Sequence, residues 1–171
     1  MNIFFVILRE YRKKDLHGNM ISFFIHDIVF IFKQKNRFKR WLNELASMYE
    51  KRLCRLNIIF CSDSFLLNLN REFLGHNYCT DVISFDHSLL YSKTKISGDI
   101  YISVDTVKLN AAFYKVSFED ELLRVMAHGL LHLFGFKDIN DNDRAIMLCQ
   151  EEAAILRFKE GNQGTLCSKQ T

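Results

Sequence analysis

Two histidines lie four residues apart in the segment HGLLHLFGFKD, which spans residues 128 to 138. On an α-helix, residues at this spacing share one face with their Cβ atoms about 6 Å apart, so His128 and His132 could hold one metal ion. Gly135 stands where a left-handed residue commonly ends a helix, which would turn the chain back toward the histidines. We therefore expect Asp138 to be the third ligand.

The proposed ligand set favours a catalytic metal site over a structural one. Two imidazoles and one carboxylate leave the fourth position of a tetrahedral zinc ion open to water, whereas structural zinc has four protein ligands. Zn²⁺ is favoured over Mg²⁺ because imidazole suits borderline metals, although other transition metals are compatible. The alternative is that both histidines are half-buried residues of a core helix, since short motifs recur by chance. The glycine and the aspartate at the end of the segment favour the metal.

The spacing H-x-x-x-H-x-x-G-x-x-D is also that of the metzincin zinc proteases, with aspartate in the place of the third ligand. In those enzymes a glutamate follows the first histidine and serves as the general base. Here that position is Gly129, which cannot carry a proton. The spacing therefore supports a metal but argues against peptide hydrolysis.

The same segment resembles the signature HGxLHLxGyDH of the YbeY family of metal-dependent endoribonucleases, which it matches through Gly135. LNREFLGHNYCTDVISFD at residues 69 to 86 and GDIYIS at 98 to 103 resemble further family motifs, in the same order. The resemblance implies a zinc-dependent endoribonuclease that cleaves single-stranded ribosomal RNA. Its expected roles are maturation of the 3′ end of small-subunit RNA and ribosome quality control, with the small subunit as partner. A zinc-stabilised assembly factor without catalytic activity is the alternative.

By that resemblance, His128 and His132 are the first two zinc ligands, and Asp138 stands where the family usually has a third histidine. Lys137 replaces the aspartate that precedes this ligand, and Leu74 lies where many members have an arginine thought important for RNA cleavage. A carboxylate can bind zinc, so the metal site is expected to survive these changes. The leucine is the best support for the alternative without catalysis.

The sequence offers several candidates for the groups that would act on the RNA. Beyond a metal-bound water, no catalytic group is assigned, and Arg71 and Lys137 are candidates to offset developing negative charge. The candidate substrate-binding residues are Asn70, Arg71, Thr80, Asp81 and Ser84. The alternative is that these side chains satisfy a turn or face solvent on a helix.

The elements that must position these residues follow from local patterns. Segments rich in β-branched and aromatic residues predict strands at 20–30, 55–63, 80–86 and 96–105. Apolar spacing and capping residues predict helices at 33–52, 62–73, 106–114, 117–134 and 141–158. With the family resemblance, this predicts a single α+β domain: a mixed sheet of about four strands packed by helices, with the metal site on a central helix and the turn after it.

The composition fits one globular domain, with 49% hydrophobic and 25% charged residues. The formal net charge is +3, and because residues 1–19 supply +2 of it, charge argues only weakly for nucleic acid. Five scattered cysteines without a C-x-x-C pair indicate reduced thiols, and no apolar run is long enough to cross a membrane. We expect a cytoplasmic protein with an unstructured extension at 1–19, a domain at 20–158 and a flexible tail at 159–171.

Overall fold

The computed structural model describes residues 20–88 and 94–161, and within those ranges it contains four strands and five α-helices. In chain order these are β1 (Met20–Ile25), α1 (Lys35–Met48), β2 (Arg52–Cys61), α2 (Asp63–Leu69), β3 (Val82–Asp86), β4 (Lys95–Ser103), α3 (Val104–Tyr114), α4 (Phe118–Phe134) and α5 (Asp141–Glu160). A short π-helix, Asn70–Leu74, continues α2. The predicted α+β domain with a mixed sheet of four strands is confirmed.

The strands form one sheet in the order β1-β2-β4-β3. β2 is parallel to both β1 and β4, whereas β3 is antiparallel to β4. The last two strands pair from Val82 opposite Ile102 to Asp86 opposite Gly98. The strands predicted at 80–86 and 96–105 are therefore neighbours, and β3 forms an edge of the sheet.

The main core lies between one face of the sheet and the helices α1, α4 and α5. Amphipathic α1 buries the apolar positions predicted from its spacing, except Met48, which is exposed at its end. The indole nitrogen of Trp41 donates a hydrogen bond of 2.8 Å to the carbonyl oxygen of Ala154, which ties α1 to α5. A smaller apolar cluster on the opposite face includes Leu66 and Leu69 of α2. The sheet is thus covered on both faces, and α4 lies against the larger core.

Helix α4 approaches the sheet closely because Gly129 has no side chain. A Cβ atom at this position would lie only 2.8 Å from Cγ2 of Ile100 and 3.0 Å from Oγ of Ser84. The Ser84 hydroxyl also donates a 2.9 Å hydrogen bond to the carbonyl oxygen of Gly129. The glycine that follows the first histidine therefore has a packing role, which fixes the height of α4 above β3 and β4.

The ends of α4 match their sequence signals. The Ser117 side chain accepts a hydrogen bond from the backbone nitrogen of Asp120, as a capping serine does. Gly135 has φ of 99°, so the helix ends in the left-handed region that favours glycine. Both boundaries of the helix that carries the histidines were therefore correctly predicted.

Several boundaries differ from the sequence prediction by a few residues. Strand β1 ends at Ile25 and not at residue 30, because Asp27 adopts a positive φ of 52° and its carboxylate accepts hydrogen bonds from Ser62. The helix predicted at 62–73 becomes a π-helix after Leu69, and this π-helix ends at Leu74, with Gly75 as its capping residue. Helix α5 continues to Glu160, two residues beyond the predicted end at 158.

The predicted extension at 1–19 and most of the predicted tail lie outside the described residues. Among the described residues, Cys54, Cys61, Cys79 and Cys149 are free thiols, in line with the prediction of reduced cysteines. None of the helices in the described ranges combines the length and the apolar character that crossing a bilayer requires.

Candidate metal centre

Three donor groups converge at the C-terminal end of α4. Nε2 of His128 lies 2.8 Å from Nε2 of His132, and both nitrogens lie 3.8 Å from Oδ2 of Asp138. The two histidines are adjacent because they are one helical turn apart, and Asp138 joins them because the chain reverses at Gly135. The sequence-predicted ligand set is therefore brought together, and these three residues form a possible metal-binding group in the described chain.

The second ring nitrogens of both histidines are held by acceptors. Nδ1 of His128 lies 2.7 Å from Oε1 of Glu151, and Nδ1 of His132 lies 3.0 Å from the carbonyl oxygen of Phe136. A carbonyl oxygen only accepts, so Nδ1 of His132 carries the hydrogen, and a carboxylate favours the same arrangement at His128. In the neutral tautomers, both Nε2 lone pairs therefore point into the gap between the rings. Such anchoring of Nδ1 is typical of histidines that bind metals.

The donor set fits zinc. Zinc binds imidazole nitrogen and carboxylate oxygen at about 2.0–2.2 Å, so donors at a tetrahedral ion lie about 3.3 Å apart. The two Nε2 nitrogens lie 2.8 Å apart, which is shorter than this value. Oδ2 of Asp138 lies 3.8 Å from each Nε2 nitrogen, which is longer. Small side-chain shifts would therefore give tetrahedral geometry. Asp138 and both rings are partly exposed, which leaves one side of the group open to a substrate.

The charges around the site make the two histidines differ in basicity. Burial disfavours the charged form of His128, but the hydrogen bond and the negative charge of Glu151 outweigh burial and raise its pKa. Burial, followed by the nearby charge of His128, lowers the pKa of His132. Burial also raises the pKa of Asp81, and the charge of His128 opposes this only in part. The pair thus holds one proton more readily than two, and a bound cation would replace that proton.

Two concave surfaces flank the candidate metal group. On one side, a cavity of about 460 Å³ borders His128, and we call it the His128 cavity; its walls include Asp81, Asn110, Tyr114, Glu121, Leu148 and Glu151. On the other side, a groove of about 370 Å³ borders His132, and we call it the His132 groove; its walls include Asn70, Leu74, His76, Tyr78, Thr80 and Ser84. The three donor groups thus lie between the cavity and the groove, and one extended polymer could fill both.

Four of the five predicted substrate-binding residues divide between these two surfaces, and Arg71 lines neither. Asn70, Thr80 and Ser84 line the His132 groove, and Asp81 lines the His128 cavity. Several of these side chains also make hydrogen bonds within the protein. Nδ2 of the buried Asn70 donates to the carbonyl oxygen of Tyr78 at 2.8 Å. Oγ1 of Thr80 donates to the carbonyl oxygen of Val82 at 3.3 Å. The turn-satisfying role considered from sequence therefore applies to Thr80, whereas the solvent-facing alternative considered for Asn70 is wrong because its side chain is buried.

The two catalytic candidates lie on exposed segments. Nε of Arg71 donates a 2.6 Å hydrogen bond to Oδ1 of Asn77, beyond the residues that line the His132 groove. Lys137 is exposed on the turn that leads from Gly135 to Asp138. Leu74 is 49% exposed and lines the His132 groove, where it presents an apolar side chain.

The site predicted from the sequence lacks Glu151, which holds His128, and Arg124, which holds Glu151. Nη1 of Arg124 lies 3.3 Å from Oε2 of Glu151, whose other oxygen accepts from His128. One sequence signal was available. Glu151 interrupts the otherwise apolar buried stripe of α5, formed by Met147, Ala154, Ile155 and Phe158. An ionisable residue in such a stripe needs a buried partner.

Comparisons with known proteins agree with the resemblance seen in the motifs. The family model described as Endoribonuclease YbeY matches residues 26–159. A protein named Endoribonuclease YbeY from Cytophaga hutchinsonii is 45% identical over 135 residues, which cover 79% of this chain and 93% of that protein. A protein of the same name from Flavobacterium psychrophilum is 42% identical over 139 residues, which cover 81% of this chain and 96% of that protein.

The fold is also similar to the solution structure of TM1509 from Thermotoga maritima. That match has a TM-score of 0.58 and 25% sequence identity, and it covers 85% of this chain and 93% of that one. The alignments with the two relatives extend over nearly their whole lengths, and the family model covers most of the fold described above. This chain therefore belongs to the YbeY endoribonuclease family.

Proposed function

We propose that this protein is a zinc-dependent endoribonuclease that cleaves single-stranded ribosomal RNA in the cytoplasm. The observation that carries the proposal is the convergence of His128, His132 and Asp138 at an open position between two concave surfaces. Membership of a family whose relatives are named endoribonucleases supports the reaction class. We further propose that it acts with the small ribosomal subunit, in maturation of the 3′ end of its RNA and in ribosome quality control.

In this proposal the three ligands have distinct tasks. His128 and His132 would bind the ion through their Nε2 atoms, and Asp138 would complete the set while offsetting part of the ionic charge. A zinc ion with an open position supplies a Lewis acid for a phosphoryl oxygen and lowers the pKa of a bound water. Glu151 keeps the first ring in the binding tautomer through its hydrogen bond to Nδ1.

The groups that would contact the RNA backbone are still candidates. Lys137 precedes Asp138 on an exposed turn, where an ammonium group can approach a phosphate. The guanidinium of Arg71 donates a hydrogen bond to Asn77, and it must break this bond before it can contact a phosphate. Either positive charge would offset negative charge that develops on the phosphate as its bond to the leaving oxygen breaks.

Two exposed aromatic rings support a preference for unpaired RNA. The rings of His76 and Tyr78 in the His132 groove are stacked, with centroids 5.2 Å apart and planes 20° from parallel. Stacking of an unpaired base on such rings contributes about 1–3 kcal/mol. In an A-form duplex the bases are already stacked on one another, so only unpaired nucleotides can use this surface.

The test compares cleavage of a single-stranded RNA with that of the same sequence in a duplex, using zinc-loaded protein. We expect cleavage of the single strand only, loss of cleavage with a chelator, and loss of cleavage in His128→Ala. The matched control is Glu152→Gln, an exposed change on α5 next to Glu151, which should cleave like the wild type. Equal cleavage by wild type and His128→Ala purified in parallel would show that a contaminating ribonuclease is responsible, and would refute the proposal.

A second candidate is an assembly factor in which zinc stabilises the fold without catalysis. The observation that favours it is Leu74, an exposed apolar side chain on the wall of the His132 groove where many family members have arginine. Under this alternative, zinc-loaded protein would bind the small subunit but would leave single-stranded RNA intact. Leu74→Arg would distinguish the two, because an active enzyme with a weakened phosphate contact should cleave faster once the guanidinium is present.

Peptide hydrolysis is disfavoured by the packing of α4. The position that holds the proteolytic glutamate in metzincins is Gly129, and any Cβ there would collide with Ile100 and Ser84. We expect an unfolded peptide substrate to remain intact under conditions in which RNA is cleaved.

A further inference from the structure

We propose that the His128 cavity binds one nucleobase of the RNA and that the carboxylate of Glu121 selects a base with an exocyclic amino group, cytosine over uracil. This inference rests on the proposed ribonuclease function and adds base selectivity to it. It concerns the part of the His128 cavity that leads away from the metal-binding groups, along α4 toward the start of the helix.

The walls of the His128 cavity suit a flat aromatic ring. Tyr114 and Leu148 line the cavity. Tyr114 is more than half exposed and Leu148 is about half exposed, so the cavity is open to an entering group. Its volume of about 460 Å³ is far larger than one hydrated ion requires and falls in the range of pockets that bind small organic groups. Its apolar residues would cover the faces of a base, and Glu121 is one of the polar residues in its wall.

One buried acceptor in this cavity lacks a donor. Glu121 is 2% exposed, and its Oε2 atom has no hydrogen-bond partner among the described residues. The nearest cation is Arg124, whose Nε lies 3.7 Å away, an ion-pair distance that is too long for a hydrogen bond. Leaving a buried carboxylate oxygen without a donor costs free energy, which a donor from a bound ligand would recover. A group that fits this cavity is therefore one that brings a hydrogen-bond donor, such as the N–H of an amino group.

The position of Glu121 relative to the metal ligands matches the length of a nucleotide. Glu121 and His128 lie seven residues apart on α4, which is two helical turns or about 10.5 Å along the axis. A nucleotide with its phosphate at the metal group could therefore extend its base along the cavity, so that the far edge of the base meets the carboxylate.

The chemistry of the base edge decides which base is preferred. Cytosine presents its N4 amino donors at the position where uracil presents the O4 carbonyl oxygen, and the two rings are otherwise the same size. A carboxylate oxygen accepts from the amino group but repels the carbonyl. Because one well-placed contact of this kind discriminates by about 1–3 kcal/mol, we expect cytosine to be preferred over uracil by about tenfold or more.

The experiment measures binding of short single-stranded oligo(C) and oligo(U) to zinc-loaded protein by fluorescence anisotropy in the cold, with probe integrity checked on gels. Wild type should bind oligo(C) about tenfold more tightly. In Glu121→Gln the side-chain amide offers both a donor and an acceptor, so the preference should fall to about twofold or less. The matched control is Glu119→Gln, an exposed change on the first turn of α4 outside the cavity, which should keep the wild-type preference.

A second variant guards against a folding defect in Glu121→Gln. Leu148 is about half exposed at the cavity wall, so Leu148→Trp should fold normally while filling the entrance, and it should abolish the preference for oligo(C). Equal binding of the two oligonucleotides by wild type, or an unchanged preference in both cavity variants, would overturn the inference. If the base preference fails in this way but both oligonucleotides are still cleaved and a chelator stops the cleavage, the ribonuclease proposal stands. If neither oligonucleotide is cleaved, the result counts against the ribonuclease proposal itself.

Discussion

The close approach of α4 to the sheet predicts that Gly129→Ala destabilises the protein. The new Cβ would lie 2.8 Å from Cγ2 of Ile100, 3.0 Å from Oγ of Ser84 and 3.1 Å from Cγ2 of Val82. Carbon atoms in contact are normally about 3.5–4.0 Å apart, so the helix or the strands must move by several tenths of an ångström. Atoms from two strands obstruct the Cβ at once, so no single side-chain rotation relieves the overlap.

Three contributions set the expected change in the free energy of unfolding. Overpacking of this kind costs about 1–3 kcal/mol. Movement of the helix also weakens the hydrogen bond from Ser84 to the carbonyl oxygen of Gly129, which contributes about 1 kcal/mol. The higher helix propensity of alanine offsets about 1 kcal/mol. The net expectation is a loss of about 1–3 kcal/mol in the free energy of unfolding, or a fall in Tm of roughly 2–12 °C, since each kcal/mol shifts Tm by about 2–4 °C in a chain of this length.

The assay is thermal unfolding followed by circular dichroism in the presence of a chelator, so that metal binding does not contribute to stability. The matched control is Gly161→Ala at the end of α5, where a Cβ would meet only carbonyl oxygens of Arg157 and Phe158 at 3.6 and 3.7 Å. The control should change stability by less than about 0.5 kcal/mol. If Gly129→Ala were as stable as the control, or more stable, the packing argument for the glycine would be refuted.

Three further predictions concern the metal group and the domain boundary. Glu151→Gln should weaken zinc binding about 10- to 100-fold in a chelator competition, because His128 loses a charged anchor, while exposed Glu152→Gln should bind like the wild type. Asp138→Ala should lose most bound zinc in elemental analysis and Asp138→His should retain it; full occupancy in the alanine variant would mean that another residue is the third ligand. Deletion of residues 1–19 should leave Tm nearly unchanged, and failure of the shortened chain to fold would place that segment in the core.

The helix that bears the histidines was predictable because its signals are local. The capping serine at 117, the spacing of His128 and His132, and the glycine at 135 act within a few residues of one another. Such features depend on helix geometry and not on what packs against the helix. The convergence of Asp138 with the histidines followed from the same reasoning, since only a short turn separates them.

The rest of the site depends on contacts between distant segments. Glu151 reaches His128 across 23 positions of the chain because α5 packs beside α4, and the spacing of residues along the sequence does not reveal that pairing. The early end of β1 has a similar origin, since Asp27 turns away from the strand to bind Ser62, which lies 35 positions later. Local propensity cannot anticipate such partners, and at residues 26–30 it favoured a longer strand than the one that forms.

The packing of Gly129 also changes the meaning of the missing glutamate. From sequence alone, glycine at this position was a lost catalytic group. In the fold, the Cβ direction at 129 points into the contact with β3 and β4, so an acidic side chain there would be forced into the core before it could reach the open side of the metal group. The fold itself therefore excludes a general base at this helical position. Any carboxylate that moves a proton during RNA cleavage must come from another position, and Asp81, whose pKa is raised by burial, lines the cavity beside His128 from a separate segment of the chain.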